Sequence, residues 1–365
     1  MDNLVMGIAV LLAAVLSLRL AITVAIFEIA AGAIAGNYLG VRSTDWLVHF
    51  AELGSLLLIF LAGSDIDIAF LRRRLKPVGA IGSISFLAPL LAVLLYGLTI
   101  THWNRDQLLL ISIACSSTSV AIVYPVLRDS GMLKVELGKL LLLIAFLPDF
   151  LITVALFVFF TSIGLKTVVV VALLIIAIVA LRFTSMRFLK RYGETSSEVK
   201  LRFIFAILFA IAFISEKGDL HASLAVFVMG ILVSELMKEQ EETDKRLRAV
   251  AFSIFVPAFY FRAGLLFSVP AVIENWLPIL ILVAVAFSAK FIGVYLVGRK
   301  YLRENTRYGA FLMNARLTFG TIASTYGLTH GIITQQYFSI LISVIILSSA
   351  IALVFTGKTP TFAEH

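Results

Sequence analysis

Apolar runs of about 20 residues follow one another along nearly the whole chain, each long enough for an α-helix to cross a bilayer. Only 14% of the residues are charged, against roughly 25% in soluble domains. These features exclude a soluble enzyme and a disordered protein, and the single cysteine excludes a disulfide scaffold. The runs do not alternate polar and apolar residues, which excludes an outer-membrane barrel. The sequence predicts an all-α polytopic membrane protein.

The apolar runs predict 13 transmembrane helices. Their ranges are 4–19, 22–40, 47–64, 77–100, 107–127, 134–160, 166–182, 200–215, 221–237, 249–268, 275–298, 308–330 and 336–356.

The basic residues predict the orientation of the chain. Loops on one side hold 22 lysines and arginines and loops on the other hold 4, so the N-terminus is expected outside and the C-terminus in the cytoplasm of a cell (plasma) membrane. The net charge of +8 therefore indicates topology and not binding to nucleic acid. The N-terminus lacks the basic start of a cleavable signal peptide and is expected in the mature chain.

Two of the predicted spans are interrupted by polar residues. The fifth carries Ser116–Ser119 and then Pro125, and a second cluster lies in the twelfth: Asn314, Arg316, Thr318 and Gly320. Non-helical backbone is tolerated at membrane depth only where it lines a cavity or is buried in protein. The spacing of the two breaks predicts inverted repeats with a transport site between broken helices.

Few charged residues remain inside the spans, and burying each one costs about 2.5–3.5 kcal/mol. Asp149, Lys290 and Arg316 are expected to converge near the midplane. Lys290 is either an ion-pair partner or a proton carrier, and Arg316 is more simply a counter-charge to helix ends. Arg262 lies near the end of its span and is expected to snorkel or to pair locally, while Glu28 is either a cavity residue or a hydrogen-bonding residue between helices.

A single carboxylate in a water-accessible cavity binds either a proton or a monovalent cation, but not both. This competition makes Asp149 the predicted ion- and proton-binding group for Na⁺ or K⁺. Hydroxyls and freed carbonyls of the first break, at Ser117, Thr118 and Ser119, are expected to supply neutral oxygen ligands. No cofactor is expected.

Five segments resemble the monovalent cation/proton antiporter superfamily, especially its bacterial and archaeal sodium/proton antiporters and potassium efflux proteins. These segments are Phe50–Gly54, Phe60–Asp65, Ser117–Ser119, Ala222–Glu235 and Phe259–Gly264. The resemblance implies 13 helices with two crossed discontinuous helices and an elevator-type movement. It also implies a homodimer, with Asp149 as the ion-binding aspartate and Lys290 as the core lysine.

The same resemblance implies a division of the chain within its single transmembrane domain, residues 1–365. The dimerisation part is expected at about 1–64 and 200–268, the core at about 77–160 and 275–356, and a linker helix at 166–182.

The residue before Asp149 departs from the family pattern. Family members carry aspartate, asparagine or glutamine there, whereas this chain has Pro148, which offers neither a side-chain polar group nor a backbone N–H. A single carboxylate predicts electroneutral exchange. Lys290 is typical of electrogenic members, so exchange that moves net charge stays open.

Together, these features predict a secondary-active antiporter that exchanges Na⁺, or K⁺, for H⁺ and serves pH homeostasis. The alternative in the same fold is a sodium-coupled organic-anion symporter in which Arg316 binds a carboxylate. An intramembrane enzyme is disfavoured because paired acid–base groups and metal-ligand clusters are absent from the spans. The expected partners are the cation, the proton, the lipid bilayer and a second copy, with any cytoplasmic regulatory domain or subunit separate from this chain.

Overall fold

The structure, a computed structural model, describes residues 2–20, 23–160, 197–217, 223–239 and 241–356. Within these ranges the chain is helical and has no strand. The helices are numbered here in chain order: α1 (Asp2–Leu20), α2 (Val24–Tyr38), α3 (Asp45–Ser64), α4 (Ile68–Arg73), α5 (Leu75–Ile100), α6 (Arg105–Ala114), α7 (Val120–Asp129), α8 (Glu136–Phe160), α9 (Ser197–Lys217), α10 (Ser223–Glu239), α11 (Glu241–Val250), α12 (Val256–Leu265), α13 (Val269–Glu274), α14 (Trp276–Gly298), α15 (Thr306–Leu312), α16 (Thr318–Thr329) and α17 (Gln335–Thr356).

Among the described residues, six helical stretches are long and apolar enough to cross a membrane: Asp45–Ser64, Leu75–Ile100, Glu136–Phe160, Glu242–Leu265, Trp276–Gly298 and Gln335–Thr356. The predicted all-α membrane class is confirmed. The count of 13 spans stays a prediction, and the predicted linker helix at 166–182 lies outside the described residues.

One helix begins earlier than the sequence predicts. The span expected at 249–268 starts at Glu241 and continues from α11 through a π-helical turn, Ala251–Phe255, into α12. Its first residues are charged, so hydropathy does not detect them. They are nevertheless helical because Arg246 pairs with Glu242 at 2.6 Å and Arg248 with Asp244 at 2.7 Å, one helical turn apart.

The helices form two compact units. The first comprises Met1–Ser43, Ile68–Ile152 and Tyr260–His365, and the second comprises Thr44–Asp67 and Thr153–Phe259. The predicted division into a dimerisation part and a core part stays a prediction.

In the first unit, α5 packs along α14, and α6 packs against both α5 and α16. Helices α2 and α12 approach each other closely at Gly32 and Gly264. A Cβ at Gly264 would overlap the Ile29 carbonyl oxygen, and a Cβ at Gly32 would overlap the Phe261 carbonyl oxygen. Small residues therefore allow these two backbones to touch.

In the second unit, α3 packs along α10. Gly63 and Gly230 face each other, and a side chain on either would overlap a backbone carbonyl of the opposite helix. Near the end of α3, Arg248 binds the Asp65 carboxylate with both terminal guanidinium nitrogens.

Candidate functional site

Both predicted interruptions are present in the backbone. Helix α6 ends at Ala114 and α7 begins at Val120, while α15 ends at Leu312 and α16 begins at Thr318. Pro125 lies inside α7, so the polar run 115–119 alone forms the first break. Asn314 and Arg316 lie in the second break, and Gly320 lies in the helix that follows it.

The two breaks bind each other directly. The Ser119 amide donates to the Ala315 carbonyl at 2.8 Å, and the Thr118 hydroxyl donates to the Met313 carbonyl at 3.2 Å. Backbone groups that an unbroken helix would satisfy internally are thus satisfied across the breaks.

Lys290, from the middle of α14, reaches the first break and is fully buried. Its ammonium donates to the Ser116 carbonyl at 3.1 Å, the Ser117 carbonyl at 2.5 Å and the Thr118 hydroxyl at 2.7 Å. These oxygens follow the C-terminal end of α6, where the helix dipole favours a positive charge. All three ammonium protons therefore have an acceptor.

Asp149, from α8, interacts with the same break and is 1% exposed. Its carboxylate faces the backbone amides of Thr118 and Val120 and interacts electrostatically with Lys290. Val120 is the first residue of α7, so the carboxylate lies at the positive end of that helix dipole. The broken helix thus presents oxygens to the lysine and amides to the aspartate.

A row of hydroxyl groups leads away from the break. The Ser119 and Thr318 hydroxyls lie 3.1 Å apart, and the Tyr260 hydroxyl donates to that of Thr318 at 3.3 Å. Tyr260, on α12, interacts electrostatically with both Asp149 and Glu28. The sequence analysis did not name Tyr260 as a site residue, although it lies within the Phe259–Gly264 segment.

Arg316 holds the second break together. Its guanidinium donates to the Ala286 carbonyl at 2.8 Å and the Asn314 side chain at 2.9 Å. Its backbone amide donates to the Ser349 hydroxyl at 2.9 Å, and that hydroxyl also binds the Arg316 carbonyl. The serine pair 348–349 in an apolar span was the sequence signal for this contact.

The other predicted site residues differ in their contacts and in their burial. Ser117 contributes its carbonyl, while its hydroxyl donates to Ala114 within the chain turn. Pro148 is buried inside α8. Glu28 is buried on α2, and Arg262 lies on another face of α12 from Tyr260 and is partly exposed.

Comparison with known proteins identifies what the chain resembles. The sequence profile of the family described as "Sodium/hydrogen exchanger, transmembrane" matches residues 6–358. "Probable Na(+)/H(+) antiporter 3" of Methanocaldococcus jannaschii is 25% identical, over 92% of this chain and 88% of that protein. "Na(+)/H(+) antiporter" of Enterococcus hirae is 26% identical, over 92% of this chain and 91% of that protein.

The fold also matches a solved structure. The sodium proton antiporter MjNhaP1 of Methanocaldococcus jannaschii superimposes with a TM-score of 0.68 at 17% identity, over 98% of this chain and 100% of that chain. Among the described residues, no group of three or more histidine, cysteine, aspartate or glutamate side chains could hold a metal ion.

Proposed function

Because the chain belongs to the sodium/hydrogen exchanger family over residues 6–358, we propose that it exchanges Na⁺ for H⁺ across a membrane. Asp149 is the group that binds the two ions in turn. The observation that carries this proposal is the placement of its buried carboxylate beside a broken helix whose oxygens are already bound by a lysine ammonium.

The proposed cycle follows from which groups share these oxygens. In the described arrangement, the Lys290 ammonium takes up the oxygens of Ser116, Ser117 and Thr118. A sodium ion that displaces the proton of Asp149 needs several oxygen ligands, as hard cations do. The Thr118 and Ser119 hydroxyls and the Ser117 carbonyl are the proposed neutral ligands, so sodium and the lysine compete for them.

Pro148 leaves a backbone carbonyl oxygen of α8 without its helical hydrogen bond, in the turn before Asp149. Proline has no N–H, so the Ile144 carbonyl loses the helical hydrogen bond that residue 148 would otherwise donate. In place of the amide or carboxylate side chain of other members, this chain thus offers a backbone oxygen.

One carboxylate supports electroneutral exchange of one Na⁺ for one H⁺. If Lys290 also releases a proton when sodium displaces it, the exchange moves net charge. Potassium remains the alternative cation. The family resemblance supports 13 helices, an elevator-type movement and a homodimer. The spacing of the two breaks supports inverted repeats, and the distribution of lysine and arginine supports a plasma-membrane location with the N-terminus outside.

The test is collapse of an imposed pH gradient in proteoliposomes on addition of Na⁺, K⁺, Li⁺ or choline. The wild-type protein is expected to respond to Na⁺, and Asp149→Asn is expected to abolish the response because its amide binds no exchangeable proton. Asp106→Asn, on an exposed first turn of α6, is the matched control and is expected to retain exchange.

Two outcomes would overturn the proposal. Exchange retained in Asp149→Asn would remove the aspartate from its role. A wild-type protein that responds to none of the cations would favour the sodium-coupled organic-anion symporter.

A further inference from the structure

Helix α16 carries four threonines that lead from the second break to an exposed helix end: Thr318, Thr321, Thr325 and Thr329. Because they are spaced by three or four residues, they share one face of the helix, called here the threonine face. Thr318 is 4% exposed, Thr321 is 0% exposed and Thr325 is 9% exposed, whereas Thr329 is exposed. The threonine face therefore runs from the candidate site to the end of α16 and is buried between them.

The inner end of the threonine face is part of the candidate site. The Thr318 hydroxyl lies 3.1 Å from the Ser119 hydroxyl of the first break and accepts a hydrogen bond from Tyr260 at 3.3 Å. Any ion or water that moves along this face therefore arrives at the hydroxyls between the two breaks.

The opposite face of α16 is tightly packed. A Cβ at Gly320 would overlap the Ser117 hydroxyl, and a Cβ at Gly327 would overlap the Leu110 side chain of α6. Gly320 and Gly327 lie about half a turn away from the threonines. The threonine face thus points away from α6, and the packed side leaves no space for a path.

Two hydroxyls in the middle of the threonine face, those of Thr321 and Thr325, have no hydrogen-bond partner among the described residues. Other hydroxyls of α16 bind a carbonyl one turn back: Ser324 donates to Gly320 at 2.8 Å, and Thr329 donates to Thr325 at 3.0 Å. The same kind of acceptor precedes Thr321 and Thr325 by one turn, but their hydroxyls form no such bond. A buried hydroxyl without a partner costs free energy, and water would remove that cost.

The spacing of the threonines suits a file of water molecules. Side chains three or four residues apart on a helix have Cβ atoms about 5–6 Å apart. Two O–H···O hydrogen bonds in series span about 5.5 Å, so one water can bridge each neighbouring pair. Opening of this face would give Thr321 and Thr325 the partners that they lack when it is buried.

We propose that the threonine face of α16 lines a route by which water, protons and the monovalent cation reach the candidate site, and that the described arrangement is its closed state. This inference rests on the proposed function, because an exchanger opens its site to the two sides of the membrane in turn. The hydroxyls of Thr321 and Thr325 raise the free energy of the closed state relative to the hydrated open state. They thereby favour opening.

The first experiment measures exchange and thermal stability of Thr321→Val and Thr325→Val, since valine keeps the shape of threonine and removes the hydroxyl. No hydrogen bond is lost in the closed state, so stability is expected to stay equal or to rise. The maximal exchange rate is expected to fall about 5-fold or more. Ser324→Ala is the control: its hydroxyl is buried and bound to Gly320, and it should keep the wild-type rate.

The second experiment labels Thr321→Cys and Thr325→Cys in proteoliposomes with a thiol reagent that carries a fixed positive charge, added to both sides. Both are expected to react, Thr325→Cys faster because it lies nearer the exposed end. Ala323→Cys, on the packed side of α16, is expected to stay at the background of the wild-type protein, whose only cysteine is the buried Cys115. Labelling requires no exchange, so it tests the route separately from the proposed function.

Three results would overturn the route. The first is a wild-type exchange rate in both valine variants, and the second is a loss of rate that accompanies an equal loss of stability. The third is labelling of Thr321→Cys and Thr325→Cys no faster than that of Ala323→Cys, which decides alone if the valine variants do not fold. A wild-type protein that is inactive with every cation, while both threonine positions are labelled, would support the route and overturn the proposed function.

Discussion

Lys290 brings a positive charge into the membrane-spanning part of the fold, and its contacts explain how the chain accommodates it. Inserting such a charge costs about 2.5–3.5 kcal/mol, while a hydrogen bond to a charged group contributes about 1.5–3 kcal/mol. The ammonium makes three of these bonds. Together the three bonds outweigh the insertion cost, so they are enough to accommodate the charged lysine.

Removing this ammonium should alter the exchanger without silencing it. In Lys290→Ala the oxygens of Ser116, Ser117 and Thr118 lose their donor, which should destabilise the protein by about 1–3 kcal/mol. Sodium then meets no competing cation, so we expect retained exchange with a changed pH dependence or electrogenicity. Proteoliposome assays at several pH values and with an imposed membrane potential measure both.

Lys300→Ala is the control for this substitution, because Lys300 is exposed at the end of α14. Complete loss of exchange in a folded Lys290→Ala protein would contradict the prediction and make the lysine essential.

Charged residues within apolar runs were enough to predict the central residues of the candidate site from the sequence. Asp149, Lys290 and Arg316 are conspicuous in the sequence because placing each charged side chain inside a membrane span costs free energy. Their partners did not stand out, because Lys290 binds mainly backbone carbonyls, and any residue type provides those. Tyr260 was not predicted either, because composition does not show which side chains of a helix face the site.

At the scale of elements, one hydroxyl of α17 adds to the contacts that hold the second break. Ser349 binds both the amide and the carbonyl of Arg316, and Ser349→Ala would leave these groups buried without that partner. We expect a loss of about 1–3 kcal/mol in stability and slower exchange. Thermal unfolding in detergent and the proteoliposome assay measure the two effects.

The neighbouring Ser348 provides the matched control. Its hydroxyl is fully buried and has no hydrogen-bond partner among the described residues. Ser348→Ala should therefore be neutral or slightly stabilising. Equal destabilisation by the two substitutions would show that Ser349 is not the contact that holds the break.

The contact between α2 and α12 sets a second prediction at this scale. Gly264→Ala would place a methyl group against the Ile29 carbonyl, and a backbone cannot turn aside as a side chain can. We expect a loss of at least about 1–3 kcal/mol, as for overpacked cores. Gly79→Ala, on α5, meets open space and should gain up to about 1 kcal/mol of helix propensity.

Thermal unfolding of both glycine variants tests this contact. A melting temperature of Gly264→Ala equal to that of the wild type would contradict the close approach of the two helices.

The positions of both breaks could be predicted from clustered polar residues, because such a cluster is costly in a span unless it is buried in protein or lines a cavity. The start of α11 could not be predicted in this way. Hydropathy detects helices that are buried in lipid, whereas the helix in 241–248 is stabilised by ion pairs between charged side chains. Pro125 lies inside α7 and not in the first break, because composition indicates the region of a break but not the residues at which it begins and ends.

At the scale of the whole molecule, the proposed function predicts that sodium stabilises the folded protein, because the proposed cation site exists only when α8 and the broken helices are assembled. At a concentration about 100-fold above its Kd, a ligand adds about 2.7 kcal/mol of stability. If sodium and the proton compete for Asp149 as proposed, stabilisation by a fixed sodium concentration should grow as pH rises. Asp149→Asn should lose it.

Melting curves with NaCl and choline chloride at matched ionic strength measure this stabilisation. A sodium effect that is the same at every pH would contradict competition between the two ions at one group.

The membrane class could be read from the whole sequence, because length and hydrophobicity of the runs directly reflect the bilayer. Packing of the helices into two units could not, since contacts such as Gly63 with Gly230 depend on which faces meet in space.

The lysine ammonium bound to the broken helix has one further consequence. A cation attached by its own side chain has a local concentration far above that of a free ion, as linked binding groups do. Under the proposed exchange, sodium must displace this ammonium, so a higher sodium concentration is needed for half-maximal turnover. The tethered charge also keeps the site occupied between turnovers and thereby limits slippage, the uncoupled passage of ions through an idle carrier.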